Sequence, residues 1–167
     1  QAAGDADKPS KKSPPAKIGM LNIHDFTSAP LQVVKQRTVK ATPEQLWAYI
    51  NNSETLPKWV KQIKKVDVSR DAEGNDVART CSFGGDKINE DIVHVETNRV
   101  FAYKAHDNEM VSNHLGVVHI EPQGEESVIT WYQFFDKGSN NMKASMMKMM
   151  MCGMLNKEMK NLEKVAG

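Results

Sequence analysis

The chain has 167 residues, of which 40% are hydrophobic and 26% charged, and a formal net charge of +1. These values are ordinary for one globular domain. A charge this small, without Lys and Arg runs interleaved with aromatics, argues against a general nucleic-acid-binding protein. No apolar run approaches the roughly 20 residues that a membrane-spanning helix needs.

Residues 1–17 are small, polar and proline-bearing, which predicts a flexible tail ahead of a single domain over residues 18–167. Such a tail often follows a cleaved secretory signal, so we expect a secreted or periplasmic protein whose signal peptide has been removed. An engineered terminus is the alternative. Cys81 and Cys152 lie far apart along the chain, and two buried, unpaired thiols are favoured over a disulfide.

The first elements follow the tail in order. Residues 18–30 are expected to be an extended lead-in, and alternating hydrophobicity over residues 31–41 predicts a first strand. Residues 42–45 (TPEQ) form a strong helix start, with a threonine cap, a proline in the first turn and a glutamine that completes a capping box. That helix is predicted to break at residues 51–53, and a second short helix to end near Ile63.

Six more strands are predicted from a period of two in hydrophobicity, at residues 66–69, 77–83, 88–96, 100–106, 113–121 and 128–135. Short turn signals separate them, which implies an antiparallel meander. Residues 141–165 then predict one long helix, which carries eight of the ten methionines. The order of strand, two short helices, six strands and one long helix indicates an α+β fold.

The long helix is amphipathic. Its apolar face repeats at helical spacing through Met147, Met151, Leu155, Met159 and Leu162. Three further methionines are expected to widen that face, namely Met146, Met150 and Met154. Charged residues are expected to hold the other face in water, namely Lys148, Lys157, Glu158, Lys160 and Glu163. So wide a face needs a large concave partner, and we expect the sheet to supply it and a ligand to occupy the space between.

Three interpretations of the methionines remain open. Flexible, polarisable Met side chains fill irregular cores, and they also line cavities that adapt to different hydrophobic ligands. The third interpretation is copper(I) binding, since Met-x-x-Met spacings occur along the helix.

The turn at Gly84–Gly85 predicts a strand register. If it is a two-residue turn, Arg79 lies opposite Glu90 and Cys81 lies opposite Ile88. Two interpretations of the Arg79–Glu90 pair remain open. It is either a cross-strand ion pair worth up to about 1 kcal/mol, or a buried polar anchor that orients the carboxylate or carbonyl of a ligand.

The turn at Thr97–Asn98 extends the register. A two-residue turn there would place Ile92 opposite Tyr103 and His94 opposite Phe101. Because side chains alternate along a strand, one inward face would then carry a mostly apolar set. Its members are Val77, Arg79, Cys81, Phe83, Ile88, Glu90, Ile92, His94, Phe101, Tyr103 and Ala105.

Several segments together resemble the START-like superfamily, also called SRPBCC, and its polyketide cyclase/dehydrase and lipid-transport branch. The segment TPEQLWAYINNSETLPKW resembles the helix pair of that superfamily. The run RTCSFGGDKINEDIVHVETNRVFAYKA, then VVHIEPQGEESVITWYQFFD and a long final helix, resemble the rest. The resemblance covers residues 31–165 and rests on the order and spacing of diffuse elements.

The resemblance implies a helix-grip fold, in which a seven-stranded antiparallel sheet wraps the last helix and encloses an apolar cavity. It also implies binding of a lipid or another hydrophobic small molecule, without catalysis in most members. By analogy with the fold, Leu56 and Trp59 would gate one end of the cavity. The alternatives are an aromatase/cyclase- or hydratase-like enzyme and a periplasmic accessory protein with a filled cavity and an unknown protein partner.

Motifs for catalysis or metal binding are lacking in the sequence. There is no Gly-x-Ser-x-Gly elbow, no phosphate-binding glycine loop and no metal-ligand spacing among the five histidines. We therefore expect no cofactor, no metal and no catalytic residue. The candidate ligand-binding residues are Trp59, Arg79, Cys81, Glu90, Ile92, His94, Phe101, Tyr103, Met147, Met151 and Leu155.

Overall fold

A computed structural model of the chain describes residues 15–107, 112–136 and 141–167, and in the last range the side chains from residue 148 onward. Residues 1–14 of the predicted tail therefore lie outside the described residues. Two short strands, β1 (Lys17–Ile18) and β2 (Leu21–Asn22), form a small hairpin. A seven-stranded sheet follows, made of β3 (Leu31–Val39), β4 (Lys65–Arg70), β5 (Asp76–Phe83), β6 (Asp86–Glu96), β7 (Val100–His106), β8 (Leu115–Gln123) and β9 (Glu126–Phe134).

The sheet is antiparallel, with strand order β3-β9-β8-β7-β6-β5-β4. Strands β4 to β9 form a meander, and β3, the first strand of this sheet, pairs with β9. The predicted meander is confirmed, as is the predicted register of β5 and β6, in which Arg79 faces Glu90 and Cys81 faces Ile88.

In the described part of the chain, three α-helices accompany the sheet, α1 (Pro43–Ile50), α2 (Leu56–Trp59) and α3 (Asn141–Ala166), with a 3-10 turn at Ser53–Thr55 before α2. The predicted capping box is present at the start of α1. The backbone N–H of Gln45 donates to Thr42 Oγ1 at 3.2 Å, and the backbone N–H of Thr42 donates to Gln45 Oε1 at 2.9 Å.

Helix α3 packs in the concave side of the sheet, against β3, α1 and α2. Leu155, Met159 and Leu162 are buried there. Near the C-terminal end of the helix, the Glu163 carboxylate accepts a hydrogen bond from the Lys40 backbone N–H at 2.7 Å and pairs with Arg37. The result is the expected α+β helix-grip fold.

The predicted faces of α3 need two corrections. Met150 does not widen the buried face, because its side chain is 64% exposed. Glu158, which was expected to face water, is only 5% exposed. The spacing explains this, since Met151, Leu155, Glu158 and Leu162 follow each other at intervals of four, three and four and so share one stripe. The side chains of Met146 and Met147 lie outside the described residues.

The predicted pairing of His94 with Phe101 is wrong. The turn after β6 has three residues, so His94 pairs with Ala102, and a bulge at Val93 then restores the predicted pairing of Ile92 with Tyr103. One extra residue in a strand reverses the side-chain alternation beyond it. His94 therefore lies on the convex face, where its Nε2 is 2.7 Å from Glu96 Oε2.

The convex face carries a second hydrophobic cluster that the sequence did not predict. Ile18, Leu21 and Ile23 from the lead-in pack against Val100, Ala102 and other outward residues of the central strands. The lead-in is thus a folded strap rather than an extended segment. Lys17, assigned to the tail, already belongs to its first strand.

Close packing of Tyr103 on the β8 backbone generates a stability prediction. A Cβ added at Gly116 would lie 2.4 Å from Tyr103 Cζ, so Gly116→Ala should lower the free energy of unfolding by about 1–3 kcal/mol. Gly85→Ala is the matched control, because an added Cβ there meets no atom within 4 Å. Urea unfolding measures both changes. Equal losses in the two variants would contradict the packing argument.

Candidate functional site

A cavity of about 160 Å³ lies between the concave face of the sheet, α2 with the turn after it, and α3. Most of its wall is apolar, contributed by Leu56, Val60, Ile63, Phe83, Ile88, Ala105, Trp131, Met151, Met154 and Leu155. An apolar cavity of about 150 Å³ is large enough to hold a benzene molecule. The space is therefore sufficient for one small ring or a short acyl segment.

The rest of the wall is polar, and it consists of one side chain on or next to each of several strands of the sheet and one from α3. These are Arg79 on β5, Glu90 on β6, Tyr103 on β7, His114 just before β8, Gln133 on β9 and Glu158 on α3. The strand residues point inward because each shares the alternating face of its strand. Such groups need partners, since an unpaired polar group in a dry interior costs about 1–3 kcal/mol.

Arg79 and Glu90 form a hydrogen-bonded ion pair in the cavity wall. Arg79 Nε donates to Glu90 Oε1 at 2.7 Å, and Arg79 Nη1 donates to Ser53 Oγ at 3.2 Å. The guanidinium carbon lies 5.3 Å from the ring centre of Phe101 and 5.0 Å from that of Tyr103, within cation–π range. Burial is the largest single influence and disfavours the charged guanidinium, but the charge and hydrogen bond of Glu90, together with Cys81 and Tyr103, outweigh it and raise the pKa of Arg79.

A chain of hydrogen bonds runs from His114 to Tyr103. The Ala105 backbone N–H donates to His114 Nδ1 at 2.8 Å, so the ring proton sits on Nε2 and is donated to Gln133 Oε1 at 2.6 Å. The amide of Gln133 is thereby oriented, and its Nε2 donates to the Tyr103 hydroxyl at 2.8 Å. Burial lowers the pKa of His114, which keeps the ring neutral.

Two further groups in and beside the cavity stay protonated at neutral pH. Burial and the nearby Glu90 charge raise the pKa of Glu158 to about 8. The same two causes raise the pKa of the Cys81 thiol to about 12. Cys81 is therefore a poor nucleophile, while Glu158 titrates close to neutral pH.

The structure places the candidate residues in three groups. Arg79, Glu90, Tyr103, Met151 and Leu155 line the cavity. Behind the wall lie the buried core residues Cys81, Phe101 and Trp59, with Ile92 packed against them. His94 is on the convex face, and the side chain of Met147 lies outside the described residues. A ligand-binding role for any of them stays a prediction.

Four polar or aromatic wall residues were missed by sequence reasoning. Trp131 and Gln133 could have been found from the alternation of β9, which places them on the face of Ile129. Glu158 could have been found from its place in the helical stripe. His114 meets its partners, Ala105 on β7 and Gln133 on β9, only in the paired sheet, so the sequence carries no local signal for it.

Neither cysteine is paired, as the sequence favoured; Cys81 is buried and Cys152 half-buried. Within residues 15–107, 112–136 and 141–167, no group of three or more His, Cys, Asp or Glu side chains is arranged to hold a metal ion. No helix in the described part of the chain is long and apolar enough to cross a membrane.

The fold and cavity define a helix-grip protein, and comparison with known proteins names its family. A profile of the polyketide cyclase/dehydrase and lipid transport family matches residues 30–167. The chain therefore belongs to this family, within the START-like (SRPBCC) superfamily. A comparison with curated proteins finds no significant match.

Solved structures share this fold at low sequence identity. A START superfamily protein from Mycobacterium smegmatis has a TM-score of 0.70 and 17% identity, covering 80% of this chain and 95% of its own. The protein XoxI from Bacillus cereus has a TM-score of 0.68 and 19% identity, and the match covers 80% of this chain and 94% of XoxI. The di-domain ARO/CYC StfQ of the steffimycin biosynthetic pathway has a TM-score of 0.68 and 9% identity, and the match covers 80% of this chain and 49% of StfQ.

The raised pKa of Glu158 predicts a pH-dependent stability. Between its ordinary value of 4.5 and about 8, the folded state keeps a proton that the unfolded state has released. The contribution of Glu158 to the free energy of unfolding should therefore fall as pH rises through this interval, by up to about 1.4 kcal/mol per pH unit, and level off above it.

Urea unfolding between pH 7 and 8.5 isolates this effect. His114, whose pKa is lowered from 6.5, acts below that window, and Cys81, whose pKa is raised from 9.0, acts above it. Glu158→Gln should abolish most of the slope. A wild-type stability that is flat across the window would refute the assignment.

The buried ion pair generates a further prediction. Arg79→Met should lower the free energy of unfolding by about 3–5 kcal/mol, because it leaves the Glu90 carboxylate buried without its partner. Adding Glu90→Gln should recover a large part of that loss. If Arg79→Met costs less than about 1 kcal/mol, the pair behaves as an ordinary surface ion pair.

Proposed function

We propose that the protein binds a small hydrophobic molecule, or one apolar segment of a lipid, in this cavity and does not transform it. The observation that carries the proposal is an interior space of about 160 Å³ with a mainly apolar wall and a few converging polar groups. That combination is typical of small-molecule sites. Family membership supports the binding of a hydrophobic ligand, since the family is described as polyketide cyclase/dehydrase and lipid transport.

The size of the space bounds the ligand. Drug-sized ligands occupy pockets of about 300–1,000 Å³, so the cavity as it stands suits a single ring or a short chain. Because the cavity is partly open, a larger ligand either protrudes from it or displaces α2 or α3. Met151 and Met154 line the wall, and flexible methionines can repack around different shapes.

The expected affinity is modest. A single ring that buries about 150–250 Å² contributes about 4–6 kcal/mol before ordering costs, which corresponds to dissociation constants no tighter than tens of micromolar. Tighter binding needs a hydrogen bond to the polar wall or a longer apolar ligand.

An aromatase/cyclase- or hydratase-like enzyme is the second candidate. Glu158 favours it, because a buried carboxyl with a pKa of about 8 suits a general acid near neutral pH. The fold likeness to StfQ, an ARO/CYC protein, also supports it. His94 takes no part in this hypothesis, since it lies on the convex face, outside the cavity. Turnover of a polyketide-like substrate that is lost in Glu158→Gln, with substrate affinity retained, would favour the enzyme.

A periplasmic accessory protein that binds only a protein partner is the third candidate. Native mass spectrometry of gently purified protein separates it from the first, because a co-purifying apolar molecule is expected only if the cavity is used. Metal analysis of the same sample tests copper binding by the methionines.

Filling the cavity tests the proposal directly. Ala105 is buried and lines the cavity, so Ala105→Leu should occupy the space and weaken toluene binding at least about 10-fold, since overpacked sites exclude a guest. Ala72→Leu, at an exposed position, is the matched control and should bind toluene as the wild type does.

NMR titration with toluene provides the measurement, and thermal unfolding confirms that both variants fold. If the wild-type protein neither binds toluene nor co-purifies with an apolar molecule, the cavity is not a binding site and the proposal fails.

A further inference from the structure

The Tyr103 hydroxyl is where the hydrogen bonds of the cavity wall converge. Its oxygen accepts from Trp131 Nε1 at 3.0 Å and from Gln133 Nε2 at 2.8 Å. A phenolic hydroxyl also has one proton to donate. Within the described residues, no acceptor receives that proton, although Tyr103 is only 5% exposed.

The two neighbours of Tyr103 cannot reverse their roles. An indole N–H is a donor only. The amide of Gln133 is oriented by His114, whose own tautomer is set by the backbone N–H of Ala105. Both neighbours therefore donate to the tyrosine oxygen, and the remaining hydroxyl proton is left for the cavity that Tyr103 lines.

The charges in and beside the wall cancel. The Arg79 guanidinium is paired with the Glu90 carboxylate at 2.7 Å. Burial keeps His114 uncharged by lowering its pKa, and it keeps the Cys81 thiol and the Glu158 carboxyl protonated at pH 7 by raising theirs. Among the described residues that line the cavity, an anionic ligand therefore finds no unpaired cation, and a cationic ligand finds no unpaired carboxylate.

The geometry points to a neutral ligand that carries a hydrogen-bond acceptor on an apolar body, such as a ketone whose carbonyl oxygen receives the Tyr103 proton. Tyr103 is then the residue that determines specificity, and the remaining apolar wall holds the body of the ligand. This inference rests on the proposed function and names the ligand class for the same cavity.

Three single-ring probes separate the effect of a hydrogen-bond acceptor from the effects of apolar size and of negative charge. Acetophenone carries a neutral carbonyl, ethylbenzene replaces that carbonyl by a methylene group, and benzoate carries a negative charge. All three are near the size of the cavity. NMR-monitored titration of the full chain with each probe at pH 7 gives the dissociation constants for the wild type and for Tyr103→Phe.

In the wild type, acetophenone should bind and benzoate should not bind measurably. Tyr103→Phe should weaken acetophenone binding about 5- to 10-fold, the value of one hydrogen bond, and leave ethylbenzene binding within about 2-fold. The infrared C=O stretch of bound acetophenone should lie at lower frequency in the wild type than in Tyr103→Phe. Ethylbenzene binding also shows that the variant keeps its cavity.

The inference is overturned if Tyr103→Phe changes the affinities for acetophenone and ethylbenzene by the same factor, or if benzoate binds more tightly than acetophenone. In either case the proposed function survives, because an apolar ring still enters the cavity. If none of the probes binds the wild type, the proposed function fails together with the inference.

Discussion

Arg79 and Glu90 face each other across β5 and β6, and their pairing brings two charges into a region closed off by α3. Two charges out of water are costly unless they meet at good geometry with further hydrogen bonds. The neighbours supply those conditions. Ser53 accepts from the guanidinium, and the rings of Phe101 and Tyr103 lie within cation–π range of it. The buried groups around the pair carry no further charge at neutral pH, so it is compensated locally.

The cavity separates a polar part of the sheet from the apolar face of α3. Tyr103 is held by two donors and lies against the Gly116 backbone, where a larger residue would displace it. Across the space, α3 presents Met151, Leu155 and one carboxyl group instead of a continuous apolar ridge. Rigid polar groups on the sheet and flexible thioethers on the helix leave a space that a small guest can fill.

The convex side of the sheet has the opposite character. The strap over residues 18–30 covers it with a separate apolar cluster, so the central strands are buried on both faces. Rigidity of the central strands helps to preorganise the polar wall, because the strands that carry Tyr103 and Gln133 are packed from behind. The cavity is thus better able to change shape on its helical side than on its sheet side.

Local patterns were sufficient to predict most of the fold. The capping box at Thr42, the period of two in the strands and the stripe on α3 depend on near neighbours in sequence, so they predicted the elements in the right order. The two-residue turn at Gly84–Gly85 was sufficient to pair Arg79 with Glu90. These features follow from backbone geometry and hydrophobic periodicity alone.

For the polar groups other than Arg79 and Glu90, only the tertiary structure decided which of them meet. A three-residue turn and a bulge moved His94 to the convex face, and no local signal in the sequence distinguishes this register from the simpler one. Tyr103 lies on β7, Gln133 on β9 and His114 just before β8, and Glu158 faces the same cavity from α3. Burial and hydrogen bonding between distant segments determine these protonation states, and such contacts exist only after the sheet has closed around the helix.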